Sequence, residues 1–421
     1  DQSDQMVTII EETEDPETGD PVVSVRSLEE PISIESDDDF IANGFLGSGT
    51  EEDPYLIESY CISSDSVNLI YVTGTTAHFI IRNCKLDGLT QNWEGIYFEN
   101  VENGVIENNV IENTHWGIKI HDSAENEVIG NEVHQNEAGI VLWIGNNNNE
   151  IVDNVVFNNL YEGIGLHYSD NNNVSENHIF DCNSGIILYE YSDHNNITWN
   201  EINNNYAEGV GLNDDNNYNL VSNNEIYENG VGVTIQDESD NNEVVNNKIL
   251  DSEGYGIYIA YAASENLIKW NDIIENNQEN CQAFDNGLNN VFEFNYWSDW
   301  ISPDVEDPIG IVDFPYLIDG YAENEDPYPR TNEIDNSIQK ALHLIDDVND
   351  LVDEKVLNKG QGQSLTFKLH LVIFKIKNGE ILVASLLIQS FINQMQDFID
   401  NEIISQEEGE ILITKASSII N

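Results

Sequence analysis

Five side chains with sugar-binding chemistry recur at nearly constant spacing in this 421-residue chain. They are Glu99, His121, Trp143, His167 and Tyr189, at steps of 22, 22, 24 and 22 residues. Aromatic rings cover the apolar faces of a sugar, and imidazoles, amides and carboxylates bond its hydroxyls. Next to one member of the row, Lys119, His121 and Asp122 bring a cation, an imidazole and a carboxylate into four residues. That group could move a proton on a bound substrate. Hydrolysis would instead require two carboxylates about 5–5.5 Å or about 6.5–9.5 Å apart. With 79 acidic residues in the chain, almost any face offers such a pair, so their presence discriminates nothing.

A row of this kind needs elements that return every 22 to 24 residues, and the chain supplies them. The frame Asn-x-[Val/Ile]-x-x-Asn begins at Asn103, Asn126, Asn149, Asn172, Asn195, Asn219, Asn242, Asn266 and Asn290. Its closing Asn keeps step at Asn108, Asn131, Asn154, Asn177, Asn200, Asn224, Asn247, Asn271 and Asn295. Between them Gly-[Ile/Val] recurs from Gly95 to Gly256. The first and third residues after each Gly are apolar, as at Ile118 and Ile120 or Ile140 and Leu142. Period-two alternation means short strands with one buried face. Repeats of this length suit one turn of a parallel β-helix, stacked at roughly 4.8 Å. The fold expected is mainly β: a right-handed single-stranded parallel β-helix of about ten coils, followed by a small all-α domain. The Asn columns read as scaffold. Asn tolerates the positive φ of a bend, and its amide can bond along a stack. Proline is absent between Pro54 and Pro303, as strands bonded on both sides require. In such strands the second and fourth residues after each Gly point outward, which places the five-residue row on one face.

The formal charge is −65, with only 14 basic residues, seven of them after Arg330. A field of that sign repels nucleic acid, anionic membranes and polyuronates. No apolar run is long enough to cross a bilayer. The opening DQSDQMVTII reads as a mature end left after signal removal, and the sequons at Asn173 and Asn196 fit export. Few lysines, many asparagines and an acidic surface point to an extracellular or cell-surface location. Cys61 and Cys84 lie one coil apart, close enough to bridge or to sit as two buried thiols.

The entry segment PISIESDDDFIANGFLGSGTEEDPYLIESYCI and the exit segment NYWSDWISPDVEDPIGIVDFPYLIDGYAENEDPYPR flank the repeats. With the Asn and Gly-Ile columns they resemble the NosD-like right-handed parallel β-helix proteins, part of a wider group of carbohydrate-binding and sugar-hydrolase β-helices. The resemblance spans residues 31–330. It implies a calcium-site character for the exit loop, where Asp304, Glu306, Asp307 and Asp313 stand and Ile309 replaces an expected acid. Calcium is the only cofactor so implied. A copper role would need soft ligands, and the methionines, Met6 and Met395, both lie outside the coils. Residues 1–30 form an acidic tail with two β-prone pieces, MVTII and VVSVR, suited to strand addition on a neighbour. Residues 331–421 switch to a 3.6 period. There LVDEKVLNKGQGQSL matches FIDNEIISQEEGEIL at an offset of 47, giving two helical hairpins. This module resembles the FIMAH module of secreted surface proteins, which implies contact with a protein partner.

These features together describe a non-catalytic surface β-helix that contacts a polysaccharide or glycoprotein, or assembles structurally. Two alternatives remain open. One is a polysaccharide hydrolase or lyase working on the same face. The other is a filament or coat subunit joined end to end through exposed strand edges.

Overall fold

The computed structural model describes residues 8–14, 21–27, 29–277, 280–300, 302, 304, 311–333, 336–353, 355–377, 381–401 and 403–419. It divides into two units, Asp1–Thr331 and Asn332–Asn421. The first unit holds three parallel sheets of eleven strands each, in which every strand but the first and last pairs with its counterparts one coil before and one coil after. This is a parallel β-helix of eleven layers against the ten or so expected. The first sheet carries the Gly-[Ile/Val] strands, among them Trp116–His121, Ala138–Trp143, Glu162–His167 and Ser184–Tyr189. The second begins inside the Asn frame, as at Glu127–Ile129 and Glu150–Val152. The third follows the closing Asn, as at Glu132–His134 and Val155–Phe157.

The central coils turn four aliphatic side chains inward, two from the first sheet and one from each of the others. Ile118, Ile120, Val128 and Val133 form one such layer, and Ile140, Leu142, Ile151 and Val156 the next. All eight are fully buried. At about 1.5–3 kcal/mol for each buried Ile, Leu or Val, this column is the main stabilising term. The recurring Gly of the first sheet is required by closeness. A Cβ on Gly139 would lie 2.3 Å from the carbonyl oxygen of Gly163 and 2.5 Å from Val156 Cγ1.

The Asn columns form buried ladders. Asn126 passes its backbone N–H to Asn149 Oδ1 at 3.1 Å, and Asn149 does the same to Asn172 at 2.9 Å. The closing column repeats the pattern from Asn131 through Asn154 and Asn177 to Asn200. Two parts of the sequence reading need correcting. The buried Asn residues do not supply the positive φ; the residue before each one does, as with Asn148 (φ 54°), Asp153 (φ 55°) and Asn171 (φ 57°). The bend needs an αL residue facing water and a bonded amide facing the interior, and no single side chain does both. In the first framed coil the register is one residue later. Gly104 and Asn109 take the ladder positions, while Asn103 and Asn108 are the αL residues. A third ladder, Thr114, Asn136, Asn159, Cys182, Asn205 and Asn229, escaped the sequence reading although its period is the same.

Both ends of the stack are covered. At the start, helix Asp37–Ala42 sets Phe40 against Tyr55, with ring centroids 4.6 Å apart. At the end, Asp326 accepts from the backbone and amide of Asn295, at 2.9 and 3.1 Å, and from Trp297 Nε1 at 3.1 Å. The two β-prone pieces of the N-terminal segment pair with each other, Thr8–Glu14 antiparallel to Pro21–Ser27.

The second unit is a closed bundle of four helices, Asn336–Asp353, Lys359–Lys377, Ile381–Asp400 and Gln406–Ser418. The first packs on the second and the last, the second on the third, and the third on the last. The 47-residue repeat is visible in its joints. Ser405 accepts from Glu408 N at 3.2 Å while Glu408 accepts from Ser405 N at 3.1 Å. At the matching position Asn358 accepts from Gln361 N at 3.1 Å while Gln361 accepts from Asn358 N at 2.8 Å. Reciprocal caps of this kind close helix N-termini. Ser405→Ala should lower the stability of this unit by about 1 kcal/mol in urea denaturation followed by helix signal. An unchanged midpoint would mean that the cap contributes nothing.

Candidate functional site

The expected column stands in register. Glu99 pairs with His121, His121 with Trp143, Trp143 with His167, and His167 with Tyr189. The structure then departs from the expected open platform. Adjacent strands lie about 4.8 Å apart, which is also a stacking distance, so in-register rings pack on one another. His115, Trp116, Trp143, His167 and Tyr189 form one continuous run with successive centroids 5.0, 5.3, 4.7 and 5.1 Å apart. His115 stacks on Trp116 and His167 on Tyr189, while the two contacts of Trp143 are tilted, at 43° and 44°.

The second-position column is also more enclosed than alternation implies. Tyr97, Lys119 and Tyr258 are half-buried, but Val141, Gly165, Ile187, Gly211 and Thr234 are buried. At Gly165 the missing Cβ admits neighbours. A Cβ there would lie 3.1 Å from Glu162 Oε1 and 3.3 Å from His167 Nε2. At Gly211 a Cβ would lie 3.2 Å from both Asn213 Nδ2 and Thr234 Oγ1. Two glycine gaps on one face therefore draw polar groups together.

Some of those groups lack partners. Among the described residues, His167 Nε2, Asn213 Oδ1 and Thr234 Oγ1 are buried without a hydrogen bond. His167 is 9% exposed, Asn213 3% and Thr234 5%. The nearest carboxylate oxygen to His167 Nε2, Glu162 Oε1, stands 3.6 Å away, beyond hydrogen-bond length. Each orphaned polar atom costs about 1–3 kcal/mol unless water or a ligand satisfies it.

Toward the N-terminal end the same face carries a dense ionisable group. Lys119 Nζ lies 3.4 Å from Glu94 Oε1 and rests over the rings of Tyr97 and Trp116, 4.5 and 4.6 Å from their centroids. Tyr97 Oη and His121 Nδ1 are 3.2 Å apart, and Tyr71 Oη donates to Glu99. Burial and then the Glu99 charge push the Tyr97 phenol well above its ordinary value. Burial also raises the Tyr189 phenol, with Glu208 and Glu162 adding to it. Of the compact trio, Lys119 and His121 meet around Tyr97. Asp122 does not join them, because it occupies the exposed αL position of the bend with φ 49°. The carboxylates actually present are Glu99, a member of the expected row, and Glu94, which sequence distance alone did not single out.

The other candidates fall elsewhere. Asn173 and Asn196 stand in register on the outward side of the second sheet, with Asn173 Nδ2 donating to Ser175 Oγ at 3.2 Å. Asp304 and Asp313 are half-buried in the exit segment. Glu306 and Asp307 lie outside the described residues, so the expected calcium grouping is not spanned. Cys61 is in register with Lys85, one residue off Cys84, and all four cysteines are thiols. Cys84 and Cys182 each take an Asn place in a different ladder, donating backbone N–H to Asn109 and Asn205. None of the described helices is long and apolar enough to cross a membrane.

Residues 68–217 match the family described as right handed beta helix region, and residues 156–301 match the family described as periplasmic copper-binding protein (NosD). Among the described residues, the soft donors that copper favours do not come together. Cys84 and Cys182 belong to separate ladders, and Met395 lies in the core of the helical bundle. Comparison with the curated proteins finds no match. Among solved structures, the Azotobacter vinelandii mannuronan C-5 epimerase AlgE4 A-module is 14% identical, over 58% of this chain and 83% of that one, with a TM-score of 0.47. The AlgE6 A-module from the same organism is 14% identical over 64% and 78%, with a TM-score of 0.48. The Dettilon tailspike protein is 16% identical over 56% and 57%, with a TM-score of 0.46. Likenesses at this level concern fold and carry nothing about activity. The repeat region of the chain is a right-handed parallel β-helix, and residues 156–301 of it are similar to NosD.

Proposed function

We propose that the outward face of the first sheet binds an extended, uncharged glycan, in a protein that works outside the cytoplasm and uses its helical bundle for attachment. One observation carries the reading: three buried polar atoms without partners, His167 Nε2, Asn213 Oδ1 and Thr234 Oγ1, occupy one face beside an in-register aromatic run. A chain of hydroxyls at regular spacing would satisfy them once the side chains that cover them turn aside, and the ring edges would flank it. Charge selects against anionic glycans, since Lys119 is the only cation among the side chains named on this face and already lies 3.4 Å from Glu94.

Thr234→Val separates function from stability. It removes an unpartnered hydroxyl while keeping the shape, so stability should hold or rise by up to about 1 kcal/mol. Retention in native gels containing neutral polysaccharide should fall at least about ten-fold, the equivalent of one good hydrogen bond. Unchanged retention in a folded variant would sink the proposal.

A second reading has its own observation. Tyr97 and His121 are in hydrogen-bond contact next to Lys119, which could serve proton transfer on a bound sugar. Tyr97→Phe should then abolish release of reducing ends or unsaturated product and leave retention intact. If the wild-type chain generates neither product from any retained glycan, the catalytic reading falls and the binding reading stands.

A further inference from the structure

The last coils and the exit segment enclose a cleft of about 780 Å³, lined by the bend around Tyr261, the bend Asp285–Asn290 and the loop Tyr321–Asn324. That volume lies within the range of small-molecule sites. Tyr321 is 92% exposed and Tyr261 is 80% exposed. Among the described residues, neither ring stacks on another, in contrast to the run on the first sheet. Exposed aromatic rings gain nothing for the fold.

Tyr321 is nevertheless held on a fixed support. Its backbone N–H donates to Asn286 Oδ1 at 2.7 Å, and the N–H of Ala322 donates to the carbonyl oxygen of Asp285 at 3.2 Å. Gly320, with φ 120°, allows that approach, because a Cβ there would lie 2.0 Å from the same carbonyl oxygen. Asn324 Nδ2 locks the loop from its other end, donating to Asp285 Oδ2 at 2.9 Å and to the carbonyl oxygen of Asn290 at 2.7 Å. The Asp285 carboxylate is itself buried, and it also accepts from Gly287 N at 2.8 Å and Asn290 Nδ2 at 3.0 Å. A loop anchored at four points thus presents an aromatic ring to water across from a second one. Pre-organised rings of this kind lose little entropy when they bind.

The geometry points to this cleft as a second carbohydrate site, which takes the end or a short stretch of a neutral oligosaccharide between Tyr261 and Tyr321. The rings supply apolar faces, and Asn286, Asn289 and Glu323 supply groups for hydroxyls. Glu323 in the lining and the acidic surroundings exclude uronates. The site shares a ligand class with the first-sheet face but none of its residues.

Calorimetric titration of the full chain with cellohexaose, mannohexaose and N-acetylchitohexaose tests it, with hexagalacturonate as the anionic probe. At least one neutral probe is expected to bind. Tyr321→Ala and Tyr261→Ala should each weaken that probe ten-fold or more with an unchanged melting temperature. Tyr321→Phe, which keeps the ring, should restore binding to within three-fold. Thr234→Val on the first-sheet face should leave this binding unaltered. The proposal is overturned if no neutral probe binds, if hexagalacturonate binds as tightly, or if the two Tyr→Ala variants bind like wild type. It is also overturned if Thr234→Val abolishes the same heat, which would place the ligand on the face instead.

Discussion

Asn177→Leu is expected to destabilise the β-helix by about 3–5 kcal/mol, the range for a broken buried network. The side chain accepts the backbone and amide donors of Asn154, both at 2.9 Å, and donates to the carbonyls of Ile151 and Ser175 and to Asn200 Oδ1 at 2.8, 2.9 and 3.0 Å. Leucine matches its size and satisfies none of these groups. Two of them, the backbone N–H of Asn154 and the carbonyl of Ile151, are buried main-chain atoms that no rearrangement of side chains can bring to water. Because coils contact only their neighbours, the damage should stay local at first. Amide hydrogen exchange should accelerate in the coils on either side before the global transition in urea. Asn148→Ser, at an exposed αL position (φ 54°), is the control and should cost under about 1 kcal/mol. If both variants melted alike, the ladder would be an ornament on a helix held by its aliphatic column alone.

Arg330→Met is expected to cost about 3–5 kcal/mol, concentrated at the C-terminal end. Arg330 reaches back into the stack: Nε donates to the carbonyl of Phe294 at 2.7 Å, and Nη2 donates to the carbonyl of Asn271 at 3.0 Å and to the Asp272 carboxylate. Asp272 is almost fully buried. Removing the guanidinium takes a charge-assisted hydrogen bond from that carboxylate in a medium that solvates it poorly. The double variant Arg330→Met with Asp272→Leu should recover much of the loss, because an apolar pair of similar size carries no desolvation cost. Chemical denaturation of the two single variants and the double variant gives the coupling. Full additivity would rule out the pairing as the origin of the effect.

Much of this was legible in one dimension. Ile118, Ile120, Ile140 and Leu142 announce an inward face through alternation, and every one of them is inward. The steps between Asn149, Asn172 and Asn195 announce stacked coils, and their amides do bond along the stack. The 47-residue offset in the tail announces paired helical joints, and both carry reciprocal caps. The third ladder was equally readable from Asn136, Asn159, Asn205 and Asn229. Only the interruption at Cys182 masked it.

The outward side was less legible. Alternation says which way a side chain leaves its strand, and nothing about what leans over it. Whether Thr234 or Ile187 meets water depends on the reach of side chains one coil away and on the gaps at Gly165 and Gly211. The row His121, Trp143, His167 and Tyr189 could be placed in register from spacing. Whether its rings lie open or stack was decided by the strand separation, which rewards stacking. The cleft between Tyr261 and Tyr321 joins residues 60 positions apart through a loop with no repeat of its own, so no period could reveal it. The sequence by itself determined the coil, its core, its ladders and the helical joints, because each rests on contacts that recur at one fixed interval. Only the tertiary structure decided which polar atoms are left without partners and which rings stay bare, because those depend on contacts that occur once.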